Sequence, residues 1–173
     1  MSKTKDLVLT AFLIAIVFIA TFIRVPTTPT GGLVHLGSVA LFVISVVFGP
    51  KKGAIAGALG MSLFNLTTEW AMWAPYTFVI RLAMGFIIGS VAKLALSGEK
   101  PTWLKTTLYV AALLAGAAWF IPASYVAQIM IFQVPREVPV ASIPGNLMQI
   151  VIALVAGLPL ITLINMHKPR FLP

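Results

Sequence analysis

Apolar runs separated only by short polar or Pro/Gly-rich breaks take up nearly the whole chain. They are Leu7–Val25, His35–Phe48, Ala54–Thr67, Ala74–Leu96, Thr107–Phe132 and Val140–Asn165. A bilayer core about 30 Å thick needs about 20 apolar residues of helix to cross it. Every backbone group inside it must also be hydrogen-bonded within the protein. The pattern predicts an all-α integral membrane protein of six transmembrane helices, built as one membrane domain over residues 1–173. The second and third runs are short and could be partial crossings. Pro144 and Pro159 in the sixth run predict kinks or a late helical start. The first run, after "MSKTKD", is too long for the apolar part of a signal peptide, and "RVPTTPTGG" makes a poor cleavage site. It therefore counts as the first span.

Charge sets the orientation. Only 9% of the residues are charged, against roughly 25% in a soluble domain. The net charge of +8 does not describe a nucleic-acid surface, because the basic residues sit at the ends of apolar runs rather than along one stripe. With both termini in the cytoplasm, nine of the 12 Lys and Arg fall on that side: Lys3, Lys5, Lys51, Lys52, Lys93, Lys100, Lys105, Lys168 and Arg170. Arg24 and Arg136 fall outside, and Arg81 lies within a span. This is the positive-inside bias of a multi-pass protein of the cell membrane.

Arg81, in "WAPYTFVIRLAMGF", is the residue the membrane tolerates least. No Asp or Glu lies within ten residues of it in sequence, and a charge at the centre of a spanning helix costs about 2.5–3.5 kcal/mol even on lenient scales. Counting from the outer end of the fourth run, it lies about 10 Å deep at 1.5 Å per residue. Thr77 stands one turn above it and Trp73 a further turn up. The same orientation brings Asn65, Tyr125, Gln128, Asn146 and Gln149 to the outer half of their spans. Since polar groups in lipid need partners, these side chains are expected to face a shared cavity. Trp70, Trp73, Tyr76 and Tyr125 lie at the same level, which would suit a small, flat, hydrogen-bonding ligand.

Ordinary readings stand beside these. Trp70 and Tyr76 could belong to an interfacial aromatic belt, and Asn146 and Gln149 could be bonds between helices. Arg81 could neutralise Glu69 or bind backbone carbonyls. His35, in "GGLVHLG", reads as an interfacial residue of an access loop or a member of the site. No second histidine stands at metal-ligand spacing.

Several chemistries lack their residues. Cysteine is absent, which removes disulfides and thiolate sites. The chain has no G-x-x-x-x-G-K-[ST], H-E-x-x-H or G-x-S-x-G motif, and no metal or other cofactor is expected. The acids Asp6, Glu69, Glu99 and Glu137 all lie at span ends or in loops, so no buried carboxylate offers a proton- or sodium-coupling site. Energy for solute accumulation would then come from another chain. That directs attention to small-residue seams, where helices approach closely. Ala11 and Ala15 lie four apart on the first run, and Gly53, Gly57 and Gly60 line the third. The glycines read more readily as packing within the bundle.

The blocks "HLG", "FGPKKGA" and "WAPYT", in that order within residues 31–89, resemble the substrate-binding S component of an energy-coupling factor (ECF) vitamin transporter. The likeness is closest to the branch serving riboflavin, pyridoxine and hydroxymethylpyrimidine uptake. The resemblance implies a six-helix membrane subunit, not an enzyme. Such a subunit binds a vitamin near the outer face and delivers it by toppling on a transmembrane scaffold protein with two cytoplasmic ATPase subunits. It places the scaffold-docking A-x-x-x-A at Ala11 and Ala15, and a loop closing over the ligand at 26–34. It draws the binding site from Arg81, Tyr125, Gln128, Asn146 and Gln149. Asn65 departs from the pattern, since many relatives would carry an acid there. "GSVALFV" and "TEWAMWAP" look more like the pyridoxine/hydroxymethylpyrimidine branch than the riboflavin proteins. An autonomous secondary carrier or channel, with Arg81 lining a path, is the alternative.

Overall fold

A computed structural model describes residues 2–26, 33–97 and 99–166. Its helices are α1 (Lys3–Phe22), α2 (Gly37–Phe48), α3 (Pro50–Leu66), α4 (Ala74–Leu96), α5 (Thr102–Met130) and α6 (Glu137–Met166). Two short strands, β1 (Arg24–Pro26) and β2 (Leu33–His35), pair antiparallel between α1 and α2, with Arg24 opposite His35. This pairing was not anticipated from the sequence, because three-residue strands flanked by Pro and Gly carry no usable alternation. The segment expected to close over a ligand falls mostly on residues 27–32, outside the described residues.

The local causes of these boundaries are visible in sequence. Ser2 caps α1 by accepting from the backbone N–H of Lys5, and Asp6 stands in the first turn, where a negative charge favours the helix dipole. Between α2 and α3 the chain reverses at Gly49, whose φ of 85° suits glycine alone. Pro50 then opens α3, its fixed φ fitting a first helical turn. Thr67 and Thr68 bond back to the carbonyls of Leu63 and Phe64 as α3 ends. Of the two alternatives expected for the last helix, kinks or a late start, the late start does not occur. α6 begins at Glu137 and runs through Pro144 and Pro159, and α5 runs through Pro122.

Among the described residues, four helical stretches are long and apolar enough to cross a membrane: Lys3–Phe22, Ala71–Ala95, Thr102–Met130 and Glu137–Met166. α2 has 12 residues and rises only about 18 Å at 1.5 Å per residue, short of the hydrocarbon thickness. It survives because it is wrapped, with Leu41, Phe42, Ile44 and Val46 all buried. All six helices contribute to one apolar core, with Val17, Phe42, Met61, Met84, Leu113 and Ile161 among its most buried members.

α3 and α4 approach until their backbones touch. A Cβ on Gly85 would meet the carbonyl oxygen of Gly53 at 2.7 Å, and one on Gly89 would meet Pro50 Cα at 2.4 Å. Gly57 and Gly60 are likewise filled by Leu41 and Val17, so the glycine seam packs the bundle itself. Backbone cannot step aside as a side chain can. Gly89→Ala is therefore expected to push α3 and α4 apart and to cost about 1–3 kcal/mol, the usual range for overpacking. Thermal unfolding in detergent checks this, and an unchanged midpoint would contradict it.

Candidate functional site

The large polar side chains buried in the bundle, Asn65, Arg81, Gln128 and Gln149, meet at one end of it. They line a cavity of about 150 Å³ where α3 ends and α4 begins. Helical spacing explains how. Trp73, immediately before α4, and Thr77 and Arg81 on it repeat every fourth residue and share one face, with Tyr76 beside them. On α5 the same spacing presents Ser124 and Gln128, and on α6 Ser142, Asn146 and Gln149 follow one another down a single face. His35 enters from β2, and Thr21, Met61, Phe64 and Trp70 complete the wall.

Ten of the residues singled out from sequence therefore stand around one space: His35, Asn65, Trp70, Trp73, Tyr76, Thr77, Arg81, Gln128, Asn146 and Gln149. Tyr125 does not. It is half-buried and about 100° around α5 from Ser124, so Ser124 takes the cavity position on that turn. Ser124, Ser142 and Thr21 were overlooked because small hydroxyls are commonplace in membrane helices. The available signal was the four-residue spacing of Ser124 from Gln128 and of Ser142 from Asn146. Ala11 and Ala15 lie away from the cavity, on the exposed side of α1.

Arg81 is 6% exposed, and its partners among the described residues are neutral. Its Nη1 donates to Ser38 Oγ at 3.2 Å and contacts Met84 Sδ at 3.4 Å. The guanidinium lies 4.1 Å from the centre of the Phe120 ring, a cation–π contact. The sequence alternative of pairing with Glu69 does not hold. Glu69 instead accepts from Arg24 at 3.1 Å and from Trp70 Nε1 at 2.8 Å, and Arg24 rests over Phe64. These bonds tie β1 to the connection that carries Trp70. The Glu69 carboxyl is held below its usual range, first by a backbone hydrogen bond and then by Trp70 and Arg24.

The remaining polar groups are partly committed. Asn65 Nδ2 donates to Thr77 Oγ1 at 2.8 Å, and Ser62 Oγ donates to the Ala74 carbonyl at 3.1 Å, joining α3 to α4. Gln128 Nε2 donates to the Ser124 carbonyl at 3.2 Å. The amide nitrogen of Gln149 lies 2.9 Å from His35 Nε2. With the amide donating, the ring proton sits on Nδ1, which is buried without a partner. Trp73 is stacked on Phe132 at 3.9 Å, and Tyr76 meets both rings edge-on. One face of Trp73 is thereby already covered.

The sequence model of the family described as "ECF-type riboflavin transporter, S component" matches residues 1–166. The chain belongs to this family. An S component is a membrane protein, and the four long apolar helices of this one are able to span a bilayer. A protein of Pyrococcus woesei, described as an uncharacterized protein in gap 3'region, is 29% identical over 79 residues, or 46% of this chain. The alignment covers 53% of that protein, so this S component spans about half the length of the curated relative it matches. Within the S component, the cavity draws on every helix except α2 together with β2, which makes its shape sensitive to how the helices are seated.

Proposed function

We propose that this S component is the substrate-capturing subunit of an ECF-type ABC importer. It takes up a small single-ring aromatic vitamin or precursor, of the pyridoxine or hydroxymethylpyrimidine class before riboflavin. Six crossings with both termini in the cytoplasm, the arrangement that puts nine of the basic residues on that side and so follows the positive-inside bias, turn the cavity toward the outer face. The subunit then passes its ligand to a transmembrane scaffold and two ATPase subunits without altering it.

One observation carries this reading: the cavity combines a buried arginine, four neutral amides and aromatic walls in about 150 Å³. That volume is below the roughly 300–1,000 Å³ of pockets for drug-sized ligands and suits one ring better than a tricyclic flavin with its side chain. Arg81 donates to the ligand, while Gln128, Asn146 and Gln149 satisfy its polar edge. Asn65, Thr77 and His35 hold the wall in place, and Trp73 or Tyr76 borders the ring. Tyr125 keeps no contact role in this arrangement. No carboxylate lines the cavity among the described residues, which favours energy supplied by partner chains over a self-powered carrier.

Native mass spectrometry of protein purified without added ligand tests the assignment. A co-purifying pyridine or pyrimidine mass is expected, and a flavin mass would overturn the single-ring choice. Uptake in cells lacking the ATPase module would overturn the subunit reading in favour of an autonomous carrier.

A further inference from the structure

We infer that the ligand presents an ionised oxygen to Arg81, entering the cavity as an anion or a dipolar ion rather than as a neutral ring. This rests on the binding-subunit reading above and narrows its substrate class. Arg81 lines the cavity almost fully buried, and Ser38, Met84 and the Phe120 ring supply no negative charge. Glu69 is engaged at the rim by Arg24, and Asp6 by Lys52 at 2.8 Å. Glu99 and Glu137 are exposed and do not line the cavity.

A second positive source meets the first. α2 begins at Gly37 with no side chain capping its first turn, and Ser38 in that turn is the residue Arg81 touches. The positive end of the α2 dipole therefore stands beside the guanidinium instead of opposing it. His35, the neighbouring cavity residue on β2, brings no negative charge in either protonation state and offsets neither. The other polar groups lining the cavity, among them the Tyr76 phenol, Thr77, Gln128, Asn146 and Gln149, are uncharged. A buried charge needs a counter-charge or a full set of hydrogen bonds. Here the geometry leaves that role to the ligand, and a guanidinium fork matches an oxyanion better than a ring nitrogen.

This separates the candidate classes. Pyridoxine at neutral pH is dipolar, with a phenolate oxygen for Arg81 and a pyridinium N–H for an amide carbonyl. A hydroxymethylpyrimidine and an isoalloxazine are neutral. The inference therefore favours hydroxypyridines and small aromatic carboxylates.

Matched probes test it on the purified full-length chain, followed by the fluorescence of Trp70 and Trp73 or by calorimetry. One pair is pyridoxine and its 3-O-methyl ether, and the other is pyridine-3-carboxylate and pyridine-3-carboxamide. The oxyanion member of at least one pair is expected to bind at least tenfold more tightly, and Arg81→Gln is expected to reduce that preference to within twofold. Equal or tighter binding of the neutral members overturns the inference while leaving the binding-subunit reading intact. Failure of all four probes to bind overturns both the inference and the single-ring assignment.

Discussion

Replacing Arg81 is expected to move binding and stability in opposite directions. In Arg81→Ala the proposed ligand contact loses the one arginine that lines the cavity among the described residues. Truncating one member of a buried charge pair costs about 2–5 kcal/mol, which corresponds to a loss of affinity between roughly thirtyfold and several thousandfold. The protein without ligand gains instead, because its guanidinium is buried at 6% exposure against Ser38, Met84 and Phe120, with no carboxylate beside it. Exchanging buried ionic groups for apolar side chains of similar volume is often neutral or stabilising by about 1–4 kcal/mol. Arg81→Met, which keeps much of the volume, is therefore expected to hold or raise the unfolding midpoint in detergent while losing ligand. Unchanged affinity in folded protein would remove Arg81 from the site. A steep drop in the midpoint of Arg81→Met would make the arginine a structural residue.

The second large effect lies on the exposed side of α1. Ala11→Trp and Ala15→Trp are expected to reduce uptake by the assembled importer at least tenfold while leaving ligand affinity of the isolated subunit within twofold. α1 turns Leu13, Val17 and Thr21 into the bundle, whereas Ala11 and Ala15 are exposed among Leu7, Val8, Phe12 and Ile19. The alanines are therefore outside the buried core among the described residues, and a tryptophan there is expected to be accommodated in the isolated subunit. Close approach of a partner helix, however, depends on small residues. Uptake measured with the ATPase module present, alongside binding to purified protein, separates the two steps. Uptake equal to wild type would refute the docking role of this seam.

The contrast between the two small-residue seams shows where reading the sequence stops. Gly53, Gly57 and Gly60 and the pair Ala11 and Ala15 have the same four- or three-residue spacing, and spacing alone describes a face without naming its neighbour. The fold gives the glycines to Ser45, Leu41 and Val17 and leaves the alanines uncovered. Arg81 follows the same logic. Its depth and its face on α4 follow from counting along a helix, but its contacts with Ser38 and Phe120 depend on which helices stand beside α4. Glu69, the nearest acid in sequence, was claimed by Arg24 across the β1 connection.

Hydropathy runs, breakers and the distribution of lysine and arginine are local properties, so the sequence by itself determined the helices, the seam residues and the end of the molecule at which polar groups collect. Tertiary structure alone decided that Ser124 rather than Tyr125 faces the cavity, that the Arg24 and His35 segments pair, and that α2 persists at 12 residues. It also decided that the buried arginine is left without an acid. Each of these depends on the rotation and seating of one helix against another. Packing sets those quantities, and no periodicity within a single segment encodes them.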